Sequence, residues 1–392
     1  MNKKLIKICC SEWQNASRDI RELSMCRNIG FCVLVMSKGE VNDNLKKETV
    51  HDLDVLRVST RPLGLKIPKS INRFVSLFVW AHYAKKLRPD IISGHDLSGL
   101  LIGWLSNIGR KNKAKLIYDS HEFEIGRNAK RNKYQRWQIK CLEGFLIRRC
   151  DFSIMVNDII ADEVQKIHKL KDRPIVVRST PNYWKVDIAI CKEIRNGFID
   201  QLGRDYFLLM YHGAVTKGRG IETFIQVISQ NSNVAGVILG NGDSTYLKAL
   251  DDLAEELKTK DRIVFHEAVP IDGLWKYVGA VDAGMILAPA TCKNHLFSLP
   301  NKFFENIQAE TPVVCPNYPA MKQIVDNYNI GLMCDPNSIQ DINGCIETLR
   351  NDKDLYNKLK CNIRIAKNDL CWENEKNILQ NKLDELIKWE KK

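Results

Sequence analysis

Short apolar runs that stop abruptly at a glycine or polar turn and pass into a helix recur along this chain, and an open parallel α/β sheet is what accommodates them. KLIKICC (4–10) and GFCVLVM (30–36) flank a helix expected from Ser17 to Arg27, and Asp54–Ser59 reads as a further strand. Asp90-Ile91-Ile92 runs into Gly94-His95-Asp96, and Lys115–Tyr118 into Asp119-Ser120-His121-Glu122. The pattern returns in the second half. Tyr206–Tyr211 precedes the turn HGAVTKGRG, Val237–Leu239 precedes Gly240-Asn241-Gly242-Asp243, and Arg262–Phe265 precedes His266-Glu267. Continuously apolar strands are buried on both faces, so helices must cover both sides of each sheet, and ligands gather at the strands' carboxyl ends.

A chain of 392 residues exceeds one ordinary core and suits two domains. Its 13 cysteines lack CxxC spacing and read as reduced core thiols of a cytosolic protein, with Cys9 and Cys10 pointing to opposite faces of a first strand. MNKKLIKICCSEW has too short an apolar run for a signal peptide, and no stretch is long and apolar enough for a membrane helix. The net charge of +12 is uneven: residues 1–200 hold 37 Lys+Arg against 22 Asp+Glu, a balance of +15, leaving −3 for the rest. A basic first half is either a solvated surface or a face attracted to anionic lipid or nucleic acid.

Around the expected helices the residue pattern is specific. A helix carrying Phe74, Leu77, Phe78 and Ala81 is expected after Asn72, and another spans Leu97 to Ile108. From Tyr134 to Arg149 a helix places Trp137, Cys141, Phe145 and Leu146 on one face, after the basic stretch Arg127–Lys133. Either that aromatic stripe packs inward, or residues 110–149 form a peripheral contact with an anionic membrane. A last helix is expected over Asn374–Trp389.

Phosphate chemistry concentrates in the second half. Gly213, Gly218 and Gly220 allow backbone to approach an anion, Arg219 offers a fork of donors, and Lys217 and Lys302 are possible helpers. The turn matches neither GxGxxG with a distant acid nor a P-loop, which disfavours nicotinamide or Walker-type binding. KNHLFSLPNKFFENIQAETPVV (293–314) opens as a loop in which Ser298, Pro300 and Asn301 supply turn and cap chemistry, then becomes a helix with apolar Phe303, Phe304 and Ile307. Its uncompensated first N–H groups suit an anion, whereas Glu305 suits sugar hydroxyls.

SLPNKFFENIQAETPVV resembles the donor-site segment of GT-B glycosyltransferases of family 4, in a branch reading SLPNK-aromatic-aromatic-E followed by A-x-x-P-V-V. The resemblance is strong from about Tyr211 to Pro336 and weaker before it. It implies two Rossmann-like doubly wound domains facing across a cleft: an acceptor-side domain over 1–185, a nucleotide-sugar domain over 186–372, and a C-terminal helix over 373–392 crossing back to the first. It further implies a retaining, metal-independent, hexosyltransferase-type enzyme with no cofactor. Its donor would be a nucleotide-diphosphate sugar; the absence of a membrane span and the basic first half favour a glycan or lipid-linked acceptor of surface polysaccharide synthesis, with the protein cytoplasmic and at the inner face of the membrane. His121, Arg219 and Glu305 would be catalytic. Gly213, Lys217, Gly218, Gly220, Gly240, Asn241, Gly242, His266, Ser298, Leu299, Pro300, Asn301 and Lys302 would bind the donor; His95, Asp119 and Glu122 would lie on the acceptor side. His121 is expected neutral, both giving and accepting a hydrogen bond, or else it merely satisfies backbone groups at its strand's end. The sequence departs from the family at Phe297, where the first of two paired glutamates would stand, and at Ala214, where an arginine would stand. Asp282 reads as structural. An epimerase or phosphorylase of the same architecture is the rival enzyme; a basic nucleic-acid-binding or scaffold protein is the rival class, although no zinc, helix-turn-helix or RNA-binding signature accompanies the charge and no nucleic acid is expected.

Overall fold

A computed structural model describes residues 3–13, 17–40 and 45–388. The chain divides into two compact units, one comprising Met1–Arg178, Cys292–Asn294 and Lys376–Lys392, the other Ser179–Thr291 and His295–Glu375. Each is built on its own sheet. The first contains β1 (Lys4–Cys9), β2 (Cys32–Gly39), β3 (Lys46–Val50), β4 (Leu53–Ser59), β5 (Ile91–His95), β6 (Lys115–Ser120), β7 (Phe152–Met155) and β8 (Ile175–Val176), in the order β3-β4-β2-β1-β5-β6-β7-β8. The second contains β9 (Phe207–His212), β10 (Val234–Leu239), β11 (Ile263–His266), β12 (Ala283–Met285), β13 (Val313–Pro316) and β14 (Gly331–Cys334), in the order β11-β10-β9-β12-β13-β14.

Every pairing is parallel except β3 with β4. These are two Rossmann-like domains. In each the strand order reverses beside the first strand, between β1 and β5 and between β9 and β12, and a crevice at the carboxyl ends is the usual consequence. The edge strand β3 escapes sequence reading because KKETV is polar and half exposed, a composition that keeps an edge from pairing with another chain.

In the second unit, apolar residues from alternate positions of β9 and β10 enter cores on opposite faces: Leu209 and Ile238 on one, Leu208 and Val237 on the other. The helices expected from the sequence form with ends moved by a few residues, and two of their faces differ from expectation. Helix Lys69–Lys86 begins before Asn72, whose buried side chain accepts from Leu63 N–H and donates to Gly64 and Ile67 carbonyls, fixing the preceding loop. Phe74 and Phe78 stand exposed, while Ser76, Trp80, Ala81 and Ala84 face the sheet. Helix Lys133–Ile147 buries Glu143, Gly144, Leu146 and Ile147, because the Glu143 carboxylate accepts from Tyr118 of β6 at 2.8 Å and pairs with His168 at 2.9 Å. That anchors the helix by its charged face and leaves Trp137 57% and Phe145 39% exposed while Leu146 is buried, so only part of the stripe packs inward. The last helix runs Trp372–Lys388; Trp389, its expected end, lies outside the described residues. Among the described residues no helix is long and apolar enough to cross a membrane, and the cysteines are free thiols.

Candidate active site

In the second unit a cavity of about 360 Å³ opens beyond β9 and β12, lined among others by Lys217, Gly218, Arg219, Ser298, Pro300 and Lys302. The turn after β9 and the segment before helix Asn301–Gln308 thus meet, although 80 residues separate them in sequence. Gly213 and Gly218 take positive φ, and a side chain at Gly218 would meet nothing within 4 Å, so this backbone is open to a ligand. Gly220 differs: a Cβ there would lie 2.2 Å from the Leu287 carbonyl oxygen, so its role is to let helix Ile221–Ser229 approach the chain beyond β12. Helix Asn301–Gln308 starts after Pro300, and no side chain caps it. Asn301 is its first residue rather than its cap, and Ser298 Oγ donates to the His295 carbonyl at 2.9 Å. The helix's first N–H groups are thereby left for a ligand.

Three cations border this cavity. Lys217 and Arg219 are exposed, and Arg219 makes no hydrogen bond or ion pair among the described residues. Lys302 Nζ lies 3.8 Å from the ring centroid of Tyr211. Burial, and secondarily Arg219, push the Lys302 ammonium down to about 7 despite the opposing pull of Glu305. Glu305 pairs with His212, Oε2 to Nε2 at 3.0 Å. His212, buried at the end of β9, was not singled out in the sequence; its position directly before Gly213 at a strand end is the signal that could have found it.

Leu299 is buried. Gly240, Asn241, Gly242 and His266 are not among the residues that line this cavity. A Cβ at Gly240 would lie 1.9 Å from the Gly213 oxygen and one at Gly242 2.4 Å from the Val215 oxygen. Asn241 Oδ1 accepts from Ala268 N–H, and His266 Nδ1 meets the Glu267 carbonyl at 2.7 Å with its ring edge-on to Tyr277. They hold the turns in register. Asp282 is structural, accepting from Leu208 N–H at 2.7 Å and pairing with Arg195.

The first unit gathers charge where β1, β5 and β6 end. Lys7, in the middle of β1 and 1% exposed, contacts Asp119, with Asp19 at 3.0 Å and Glu22 at 3.4 Å. Arg18 bridges Glu22 at 2.7 Å and Asp119 at 2.8 Å. Asp119 is fully buried within this cluster, which removes it from the acceptor side; its carboxylate is consumed by Lys7 and Arg18. His95 and His121 lie with ring centroids 4.0 Å apart, His95 Nδ1 3.0 Å from Asp19 and His121 Nε2 3.3 Å from Asp119. Glu122 is tied to Arg127 Nε at 2.6 Å, and Asp96 accepts from His121 N–H. Asp19, Glu22, Lys7 and Arg18 were not anticipated as partners of these histidines; a lysine inside the apolar run KLIKICC was the visible trace of them.

Three carboxylates face two permanent cations here, and His121 supplies the balance. Burial and Arg18 work against its proton, but Asp119 and Asp19 hold it and raise the imidazole to about 9. The neutral imidazole expected from sequence is therefore replaced by an imidazolium that only donates. A base whose folded value lies above its ordinary 6.5 adds stability in full below that value and loses it as pH rises through about 9. His121→Gln should abolish that loss: melting temperatures followed from about pH 7 to 10 decline for the wild type and stay flatter for the variant. Parallel curves would refute the assignment.

Comparison with known proteins agrees with this arrangement. Residues 196–365 match the family of glycosyl transferases group 1. Among curated proteins none matches the chain significantly. Of solved structures, sucrose-phosphate synthase from Thermosynechococcus elongatus is similar with a TM-score of 0.76 at 17% identity, over 98% of this chain and 99% of that one. Anabaena HepE, in complex with UDP and glucose, gives 0.73 at 15% identity over 99% and 100%. WaaG, a glycosyltransferase involved in lipopolysaccharide biosynthesis, gives 0.63 at 14% over 95% and 99%. At such identities the likeness establishes the fold, two Rossmann-like domains of the GT-B class.

Proposed function

We propose that the chain is a retaining, metal-independent glycosyltransferase of family 4, taking a hexose from a nucleotide-diphosphate sugar to a glycan or lipid-linked acceptor in surface polysaccharide synthesis. The observation that carries the donor half is the convergence of Arg219, Lys217 and Lys302 on a cavity that also receives open Gly218 backbone and an uncapped helix start. Those groups can neutralise a departing diphosphate electrostatically. The UDP and glucose held by HepE support this chemistry, as does the family match over the same segment. The His212–Glu305 pair stands beside it with a carboxylate that can turn to ribose hydroxyls. Retention and the hexose rest on the sequence resemblance, and the polysaccharide role on that resemblance and on WaaG, a glycosyltransferase involved in lipopolysaccharide biosynthesis.

Lys302 gives the test. A diphosphate beside an ammonium held at about 7 restores its charge, so binding at about pH 8 should take up a proton, and affinity should fall as pH rises above 7. Nucleotide sugars titrated calorimetrically in two buffers of different ionisation enthalpy measure this, and Lys302→Met should abolish the uptake. Failure of every nucleotide sugar to bind would reject the function; binding without uptake would remove Lys302 from the diphosphate.

The acceptor half is proposed to work at the cytoplasmic face of an anionic membrane through residues 110–149. Tyr134 and Trp137 stack at 5.8 Å on the exposed side of their helix, near exposed Lys130 and Lys133. Lys130→Gln/Lys133→Gln/Trp137→Gln should end sedimentation with anionic vesicles while nucleotide-sugar affinity is unchanged. Unaltered sedimentation would exclude this face.

A further inference from the structure

We infer that the first unit carries a seat for a phosphate group, formed by Arg61, Lys69 and Arg73 beside His95, and that the acceptor is therefore a phosphate-bearing molecule. As an acceptor assignment this rests on the transferase proposed above; as a binding site it stands alone.

The three cations border a cavity of about 540 Å³ that His95, Asp96 and Cys10 also line, at the carboxyl ends of β1 and β5 where the strand order reverses. Local structure explains why they converge. Arg61 follows the end of β4 by two residues, and Lys69 and Arg73 are successive turns on one face of helix Lys69–Lys86. Asn72 bonds to residues 63, 64 and 67 and so holds the loop after Arg61 against that helix. The helix starts after Pro68 with no side-chain cap, adding the partial positive charge of its first turn.

The charge balance selects the ligand. Lys38 and Arg127 border the same cavity but are matched, Lys38 by Glu12 at 3.2 Å and Arg127 by Asp96 and Glu122. The side chains of Arg61, Lys69 and Arg73 have no hydrogen bond or ion pair among the described residues. Three uncommitted cations, two of them forked guanidiniums, suit a phosphate or diphosphate better than a neutral sugar. Apolar Leu77, Trp80 and Ile102 line the same cavity. A neighbouring cavity of about 600 Å³ shares Arg73, Leu77, Ser98 and Arg127 and continues along Leu101 and Leu142. The phosphate could thus belong to a soluble phosphorylated sugar or to a lipid headgroup whose chain follows that wall.

Calorimetric titration of the full chain with inorganic pyrophosphate separates the possibilities. Wild type should bind at two sites: Arg61→Gln/Arg73→Gln should weaken one by about tenfold or more without lowering the melting temperature, and Arg219→Ala should weaken the other. A double variant that binds like wild type, or a wild type with a single site that Arg219→Ala removes, would overturn the seat. A wild type with a single site that Arg61→Gln/Arg73→Gln weakens and Arg219→Ala leaves unchanged would instead count against the donor site while upholding the seat. Geranyl diphosphate then identifies the source. Tighter binding than pyrophosphate at the Arg61-dependent site, lost in Leu101→Gln/Leu142→Gln, upholds the seat as one for a lipid headgroup; equal binding upholds it as one for a soluble phosphorylated acceptor.

Discussion

Arg219→Ala should lower turnover by about 10²-fold or more and leave the melting temperature close to that of the wild type. The asymmetry follows from its surroundings. Arg219 is exposed at the cavity edge and makes no ion pair among the described residues, so its removal breaks nothing in the resting protein. What it would stabilise is charge that appears on a leaving diphosphate, and a donor of that kind acts mainly in the transition state. The sequence sharpens the expectation: Ala214 stands where the resembled family has a second basic residue, so no arginine of the same turn can substitute. Lys302 cannot compensate fully, because its ammonium is held at about 7 partly by Arg219 itself; removing Arg219 lifts that constraint and returns only part of the lost charge near neutral pH. Steady-state kinetics with the nucleotide sugar that binds, together with a thermal melt, decide the matter. Unchanged turnover would withdraw Arg219 from the phosphate site, and a collapse in stability would make it structural.

Asp119→Ala should destabilise the first unit by about 3–5 kcal/mol, since removing one partner from a buried ionic cluster leaves the others desolvated and uncompensated. Asp119 is fully buried and faces both Lys7 and Arg18, and Arg18 would keep only Glu22. Its carboxyl lies well below the ordinary carboxylate range because Arg18, Lys7 and His121 outweigh the cost of burying it. Such a depressed carboxylate contributes stability that is present above its unfolded value near 3.8 and is lost as pH falls below it. Urea unfolding at neutral pH should show the loss, and the difference between wild type and variant should shrink as pH falls below about 4. A loss under about 1 kcal/mol would mean that water or Asp19 replaces the missing charge, and that the cluster does not order this end of the sheet.

The division between what the sequence revealed and what it concealed follows from the range of the interactions involved. The Rossmann-like class was legible because β1, β5, β6, β9 and β10 are buried on both faces and therefore predominantly apolar, and because each ends in a turn whose residues are adjacent in sequence. The SLPNK segment was legible for the same reason, its helix, loop and following strand being one continuous stretch. The edge strand β3 was not, since an exposed edge carries no apolar signature. Side-chain orientation was decided by tertiary partners. Helical spacing grouped Trp137 and Phe145, but the bonds of Glu143 to Tyr118 and His168 turned that group outward. The strand-end glycines looked alike, yet the neighbouring backbone fills the space at Gly220, Gly240 and Gly242 and leaves Gly218 open. His121 was identified from its place at a strand end, while its proton was decided by Asp19 and Asp119, the first of them 102 residues away. Local pattern specifies which backbone forms; charge state and exposure depend on groups that only folding brings within a few ångströms, where desolvation makes each Coulombic contact count.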